Sequence, residues 1–95
     1  MSRHLLIAYD ITCDNRRRKV AQLLQAHLDR VQRSVFEGTL QREARRELLA
    51  KLEAMINAEE DALLALSLHP ETRARIVRLG RQTIPRAPED WVLPP

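Results

Sequence analysis

The chain has 95 residues, of which 31% are charged and 3% aromatic, with a formal net charge of +3 and a single cysteine. That length suits one small domain with a modest core, for which a second copy is a natural source of further burial. No run of 18 apolar residues exists, Met1-Ser2-Arg3 leads directly into an apolar stretch, and Cys13 has no internal partner, so a membrane span, a secretory leader and a disulfide scaffold are set aside and a soluble cytoplasmic protein is expected.

Residues 4–9 (His-Leu-Leu-Ile-Ala-Tyr) are almost continuously apolar and Asp10 ends the run. The lack of polar alternation predicts a strand over about 3–10 that is covered on both faces, hence central. Thr12-Cys13-Asp14-Asn15 reads as a turn in which Asp14 or Asn15 caps a helix over about 15–28. Val20, Leu23, Leu24 and Leu28 form its apolar stripe. Residues 31–37 are β-branched and aromatic and read as a second strand closed by Gly38.

Residues 41–57 predict a second helix, with Ala44, Leu48, Leu52, Met55 and Ile56 on one face. A third strand is expected over 62–68, broken by His69-Pro70, and a fourth over 75–80 carrying Ile76, Val77 and Leu79. The order strand, helix, strand, helix, strand, strand is one hairpin short of βαββαβ. It matches an α+β, ferredoxin-like sheet when the second strand continues through Thr39 and Leu40 as the inner element. Two helices then cover one face and leave the other open and apolar. Residues 1–81 form this domain. Residues 82–95 contain Pro85, Pro88, Pro94 and Pro95, which forbid helix and central strand, while Ile84 and Trp91 give an extended arm something to dock on another protomer or a partner.

Asp10 is the first candidate for chemistry. A carboxylate at the end of a central strand, beside a run of cations, can hold a divalent metal next to a phosphate. One carboxylate is a poor Mg²⁺ site, but a two-fold axis beside Asp10 brings its twin from a second chain. Capping of the strand end or the following turn is the plainer role for the same residue. Arg16, Arg17, Arg18 and Lys19 stand at a helix start, where each cation opposes the macrodipole by roughly a few tenths of a kcal/mol. Backbone phosphate contact compensates that cost without sequence preference, and Arg30, Arg33 and Arg42 extend the same patch.

The cations are also segregated. Residues 1–46 hold ten Lys/Arg against five Asp/Glu, and residues 47–72 hold one against six. Such a distribution favours an anionic partner, although solvated helix charges give the same pattern. Tyr9, Phe36 and Trp91 are too few and too scattered to stack successive bases. Phe36 and Trp91 read as core or interface residues. His4, His27 and His69 lack zinc-ligand spacing, and two glycines cannot build a phosphate-cradling loop.

Tyr9-Asp10-Ile11 after an apolar strand, then Arg17-Arg18-x-Val20-x-x-Leu23, then Val31-Gln32-x-Ser34-Val35-Phe36-Glu37-Gly38 closely resembles the CRISPR-associated protein 2 family, the small partner of the spacer-acquisition integrase. The resemblance is strongest over residues 4–40 and looser through Gly80. It implies a ferredoxin-like homodimer whose two sheets face each other, with Asp10 near the dimer axis as catalytic residue and Mg²⁺ ligand. It further implies metal-dependent endonuclease activity on single-stranded RNA or duplex DNA, and a C-terminal arm that crosses to the other protomer. Family members also bridge integrase dimers and hold protospacer duplex, a role that needs no cleavage. One departure is Asp29, where the family often has glycine before the Arg-Val-Gln strand; aspartate also tolerates a left-handed turn.

Three readings follow. One is a Mg²⁺-dependent endonuclease with Asp10 of both chains at the metal, Arg16, Arg17, Arg18, Lys19 and Arg33 on the phosphates, and Phe36, Ile84 and Trp91 in dimer or partner contacts. Another is a non-catalytic adaptor that positions DNA for the integrase with the same basic surface. A small-molecule regulatory domain on the same sheet is the third, but no ligand loop in the sequence accompanies it.

Overall fold

The computed structural model describes residues 2–80. Its elements are β1 (Ser2–Asp10), α1 (Asp14–Gln25), β2 (Asp29–Gln32), β3 (Val35–Gln41), α2 (Arg42–Met55), β4 (Ala62–Leu68) and α3 (Pro70–Arg73). The strands make one antiparallel sheet in the order β2-β3-β1-β4. This is the ferredoxin-like arrangement expected from the sequence, with β1 inside and β2 and β4 at the edges.

Alternation along β1 sorts the residues onto two faces. Ile7 sits opposite Phe36 on one side and Ala65 on the other, and the Leu5, Ile7 and Tyr9 side is the helix side. There Val20, Ala21, Leu24 and Leu28 from the α1 region and Leu48 and Leu52 from α2 close over Phe36. Leu5, Ile7, Val20, Leu24 and Phe36 are all essentially inaccessible, and each contributes about 1.5–3 kcal/mol of burial.

The opposite face carries His4, Leu6 and Ala8 of β1, Glu37 of β3, and Leu64, Leu66 and Leu68 of β4. His4 and Glu37 are buried there, with His4 Nε2 and Glu37 Oε2 3.0 Å apart. Arg78 also pairs with Glu37 and so ties the chain after α3 to this face. Burial raises the Glu37 pKa, but the hydrogen bond with His4 and the Arg78 charge outweigh it and leave the carboxyl below its ordinary range. Leu64 is 65% and Leu66 50% exposed.

The structure corrects the sequence reading at several places. Residues 31–37 are not one strand: β2 and β3 form a hairpin turning at Arg33-Ser34, with Gln32 opposite Val35 and an irregularity at Val31. Among the described residues no non-glycine residue has positive φ, so this turn needs neither glycine nor asparagine and leaves no turn signature. Ser34 O accepts a hydrogen bond from Tyr9 N at 3.0 Å, which pins the turn to β1. Residues 75–80 are a turn and irregular chain rather than a fourth strand. Val77 and Leu79 are exposed because no strand among the described residues flanks them. The N-cap of α1 is Cys13, without a side-chain cap bond, not Asp14 or Asn15.

Phe36 is buried in the core of the single chain. Its ring has no exposed surface and lies between Tyr9 (centroids 6.2 Å apart) and the Arg30 guanidinium (5.1 Å). Ile84, Trp91 and the arm over 82–95 lie outside the described residues.

Gly38 marks a close approach between layers. A Cβ there would meet Leu28 Cδ2 at 2.8 Å and Leu28 Cα at 3.4 Å. Leu28 is buried, and Leu28 N donates to Leu24 O at 2.7 Å, so its backbone cannot retreat freely. Gly38→Ala is expected to destabilise the fold by about 1–3 kcal/mol, the range for overpacking, measured as a lower urea midpoint with unchanged slope.

Candidate functional site

Asp10 closes β1, paired through its backbone with Ala62 of β4. Its side chain is exposed and makes no hydrogen bond or ion pair with any described residue. The next residue, Ile11, is buried in the core and anchors the loop from below. Asp10 is therefore a free carboxylate on a fixed backbone.

Arg17 fixes that loop from above. Its Nη1 donates to Ile11 O at 2.8 Å and Thr12 O at 3.4 Å, and its Nη2 donates to Asp14 Oδ1 at 2.5 Å. The residue is only 7% exposed. A guanidinium that satisfies two carbonyls and a carboxylate has its charge-assisted bonds filled. Arg17 thus braces the loop that follows Asp10.

Arg16 is committed elsewhere. Its Nε donates to Asp61 Oδ2 at 2.7 Å and its Nη2 to Asp61 Oδ1 at 3.1 Å and Glu60 Oε1 at 3.2 Å. Asp61 has no exposed side-chain surface and also accepts from Asn57 N at 2.8 Å. The Arg16 bond lowers the Asp61 pKa, burial opposes it, and the Asn57 N–H adds to the lowering. The same pair raises Arg16 above its usual range. Arg18, Lys19 and Arg33 remain exposed and without ion pairs among the described residues. The five cations grouped by sequence thus divide into two internal and three available.

Helical spacing could have found this division for one of them. Arg17 lies three, four and seven residues before Val20, Ala21 and Leu24, on the buried stripe. Asp61 is the residue that sequence reasoning missed, and its 45-residue separation from Arg16 leaves no local signal. Arg30 does not extend the phosphate patch. It lies over Phe36 and donates from Nη2 to Tyr9 Oη at 3.5 Å, stiffening the strand end that carries Asp10. Arg42 starts α2 and belongs to a separate cluster.

Among the described residues no three His, Cys, Asp or Glu side chains converge on a possible metal position. At this end of the sheet Asp14, Glu60 and Asp61 are paired with Arg16 and Arg17, and Asp10 is the carboxylate left without an ion pair among the described residues. No helix among the described residues is long and apolar enough to cross a membrane.

The family model for CRISPR associated protein Cas2 matches residues 3–76. This chain belongs to the Cas2 family. It is 45% identical over 83 residues to a Thermus thermophilus protein named CRISPR-associated endoribonuclease Cas2, covering 87% of this chain and 88% of that one. Among solved structures, Streptococcus pyogenes Cas2 superposes with a TM-score of 0.71 at 27% identity, over 81% of this chain and 99% of that one. A chain of a partial Cas6-RT-Cas1–Cas2 complex superposes equally well, at 29% identity over 90% of this chain and 99% of that one. Membership places the chain in CRISPR systems, and the matched span contains Asp10, Arg17 and Arg33.

The Arg16–Asp61 pair gives a pH prediction. A carboxyl whose folded pKa is lowered stabilises the fold above its unfolded pKa, and that contribution is lost as pH falls through the lower folded value. The ordinary value is 3.8, so the loss falls below it. Asp61→Asn is expected to lower the urea midpoint at pH 7 and to flatten the acid-side decline, so that mutant and wild type converge toward pH 3.

Proposed function

We propose that this Cas2-family chain acts in CRISPR spacer acquisition as a homodimeric, Mg²⁺-dependent endonuclease on RNA or duplex DNA, with Asp10 of both protomers at the metal. The observation that carries this reading is the free carboxylate of Asp10 on a loop immobilised by Arg17 and Ile11. Mg²⁺ is commonly bound by one or two carboxylates, with water completing an octahedron. A symmetric Asp10 pair would supply two such carboxylates. Bound there, the ion supplies a nucleophilic water near neutral pH and neutralises phosphate charge. Asp10 provides oxygen ligands, and Arg18, Lys19 and Arg33 hold the backbone. Arg16 and Arg17 act by positioning, since phosphate contact would cost them their internal carboxylates. The endoribonuclease name of the Thermus thermophilus relative supports the reaction class.

The dimer has its own support. Leu64 and Leu66 are exposed side by side on the open face of an edge strand, and Val77 and Leu79 are exposed beyond α3. A second copy of the same sheet covers such a face, as two packed sheets do. Leu66→Arg is expected to convert a dimer into a folded monomer at micromolar concentration, read by light scattering with the circular dichroism spectrum unchanged. A dimer that survives this change removes the sheet-face reading.

A non-catalytic adaptor is the second reading. It is favoured by the likeness to a chain of a Cas1–Cas2 complex. In it the exposed cations grip duplex DNA for an integrase partner, and Asp10 does no chemistry. Purified wild type and Asp10→Asn, each checked for folding and dimerisation, separate the two when assayed with Mg²⁺ or EDTA on duplex DNA and single-stranded RNA. Endonuclease action predicts cleavage that needs Mg²⁺ and falls more than about 100-fold in the mutant, beyond the ~10–100-fold typical of a residue that only supports a ligand, with binding retained. Equal binding and no cutting by either protein makes the adaptor reading correct.

A further inference from the structure

A second basic cluster lies at the far end of β1 from Asp10. Arg3, Arg42, Arg45 and Ser67 line a cavity of about 470 Å³, within the roughly 300–1,000 Å³ typical of small-ligand sites. Arg3 and Ser67 project from β1 and β4 on the helix side of the sheet, as the register of Leu5 with Ser67 requires. Arg42 is the first residue of α2, whose N-cap, Gln41, makes no side-chain cap bond.

The charges in this cavity are uncompensated. None of the three arginines has an ion pair with a described residue. Arg3 Nη1 donates to His69 Nε2 at 3.3 Å, which orients it without neutralising it. Arg45 Nη1 is buried and has no hydrogen-bond partner. Three guanidinium groups sharing one hollow with no acid paired to them among the described residues favour an anion there. Placing arginines at the positive end of α2 is unfavourable unless an anion joins them, and the first-turn N–H groups are themselves anion donors.

We propose that this cavity is a phosphate-binding site, with Arg3, Arg42 and Arg45 gripping the oxygens and the Ser67 hydroxyl donating a further hydrogen bond. Guanidinium forks match tetrahedral oxyanions in a way that a single carboxylate does not exploit fully. The phosphate is either a backbone group of nucleic acid or a free phosphate or nucleotide. The site is independent of Asp10: seven strand positions separate Arg3 from Asp10, roughly 23 Å at the usual rise, and the two side chains leave opposite faces of β1.

The test is a titration of the isotope-labelled full chain, read by the Nε–Hε signals of Arg42 and Arg45 and the amides of Ser67 and the first turn of α2. Sodium phosphate is compared with sodium chloride at equal ionic strength, then with a short duplex DNA and an acidic peptide of matched charge. Phosphate is expected to shift these signals selectively, and Arg42→Gln and Arg45→Gln are each expected to weaken it about tenfold or more, the scale of one charge-assisted bond. Arg42 is exposed, so its variant keeps the fold. Duplex DNA that shifts the same signals, with a salt dependence about one unit shallower in each variant, identifies backbone phosphate as the source. Phosphate shifts without that change identify a free phosphate or nucleotide. Phosphate acting no differently from chloride, or the acidic peptide acting as strongly as phosphate, overturns the proposal. Asp10→Asn is expected to leave every shift in place.

Discussion

Asp10 carries a carboxylate unpaired among the described residues, and the first two arginines that follow it in sequence, Arg16 and Arg17, are bound to other acids. Arg17 is drawn into the protein by Asp14 and by the carbonyls of Ile11 and Thr12, and Arg16 is drawn across to Asp61 and Glu60. The allocation stiffens the loop. Arg17 crosslinks the β1–α1 loop to itself, and Arg16 fastens the start of α1 to the turn preceding β4. Both ends of the loop that follows Asp10 are thereby held. Removing a partner would leave a buried charge uncompensated, the costly case for such pairs.

This arrangement shows where residue patterns inform and where they mislead. The central strand is legible because residues 4–9 lack polar alternation, and the helix stripes are legible because Val20, Leu24, Leu48 and Leu52 recur at helical spacing. The hairpin is not, since Arg33 and Ser34 turn with negative φ and carry none of the residues that announce a turn. Residues 76, 77 and 79 are apolar enough to read as a strand, yet they pair with neither edge of the sheet. The basic run reads as one surface because charge suggests solvent. Helical phase says otherwise for Arg17, which shares the stripe of Val20 and Leu24. Phe36 stands in a family motif, and the register opposite Ile7 puts it in the core of the single chain. The Arg16–Asp61 pair is not legible at all, because Asp61 is distant in sequence.

The same logic distinguishes the two basic regions. Near Asp10, acids at positions 14, 60 and 61 absorb part of the positive charge, and what remains exposed is suited to a mobile or extended anion. At the start of α2 the nearest acid, Glu43, pairs with Arg46 on the solvent side at 4.0 Å, which leaves Arg42 and Arg45 to the cavity. A net charge of +3 describes neither situation. What matters is how many cations each acid leaves over, and where.

The open face of the sheet links folding to chemistry. A chain of this length buries a limited core, and all of its largest buried side chains belong to the helix side. The other face is held together by one polar knot, His4–Glu37–Arg78, beside two exposed leucines on an edge strand. An exposed apolar edge is a liability that proteins ordinarily cover or pair. Asp10 ends a strand of this same face, and it is a single carboxylate where Mg²⁺ is bound by one or two. On the homodimer reading, a single two-fold axis serves both, because the contact that buries Leu64 and Leu66 is also the one that brings a second Asp10 into range. Dimerisation and metal binding would then be thermodynamically coupled, each stabilising the other by mass action, and neither would be a property of the single chain.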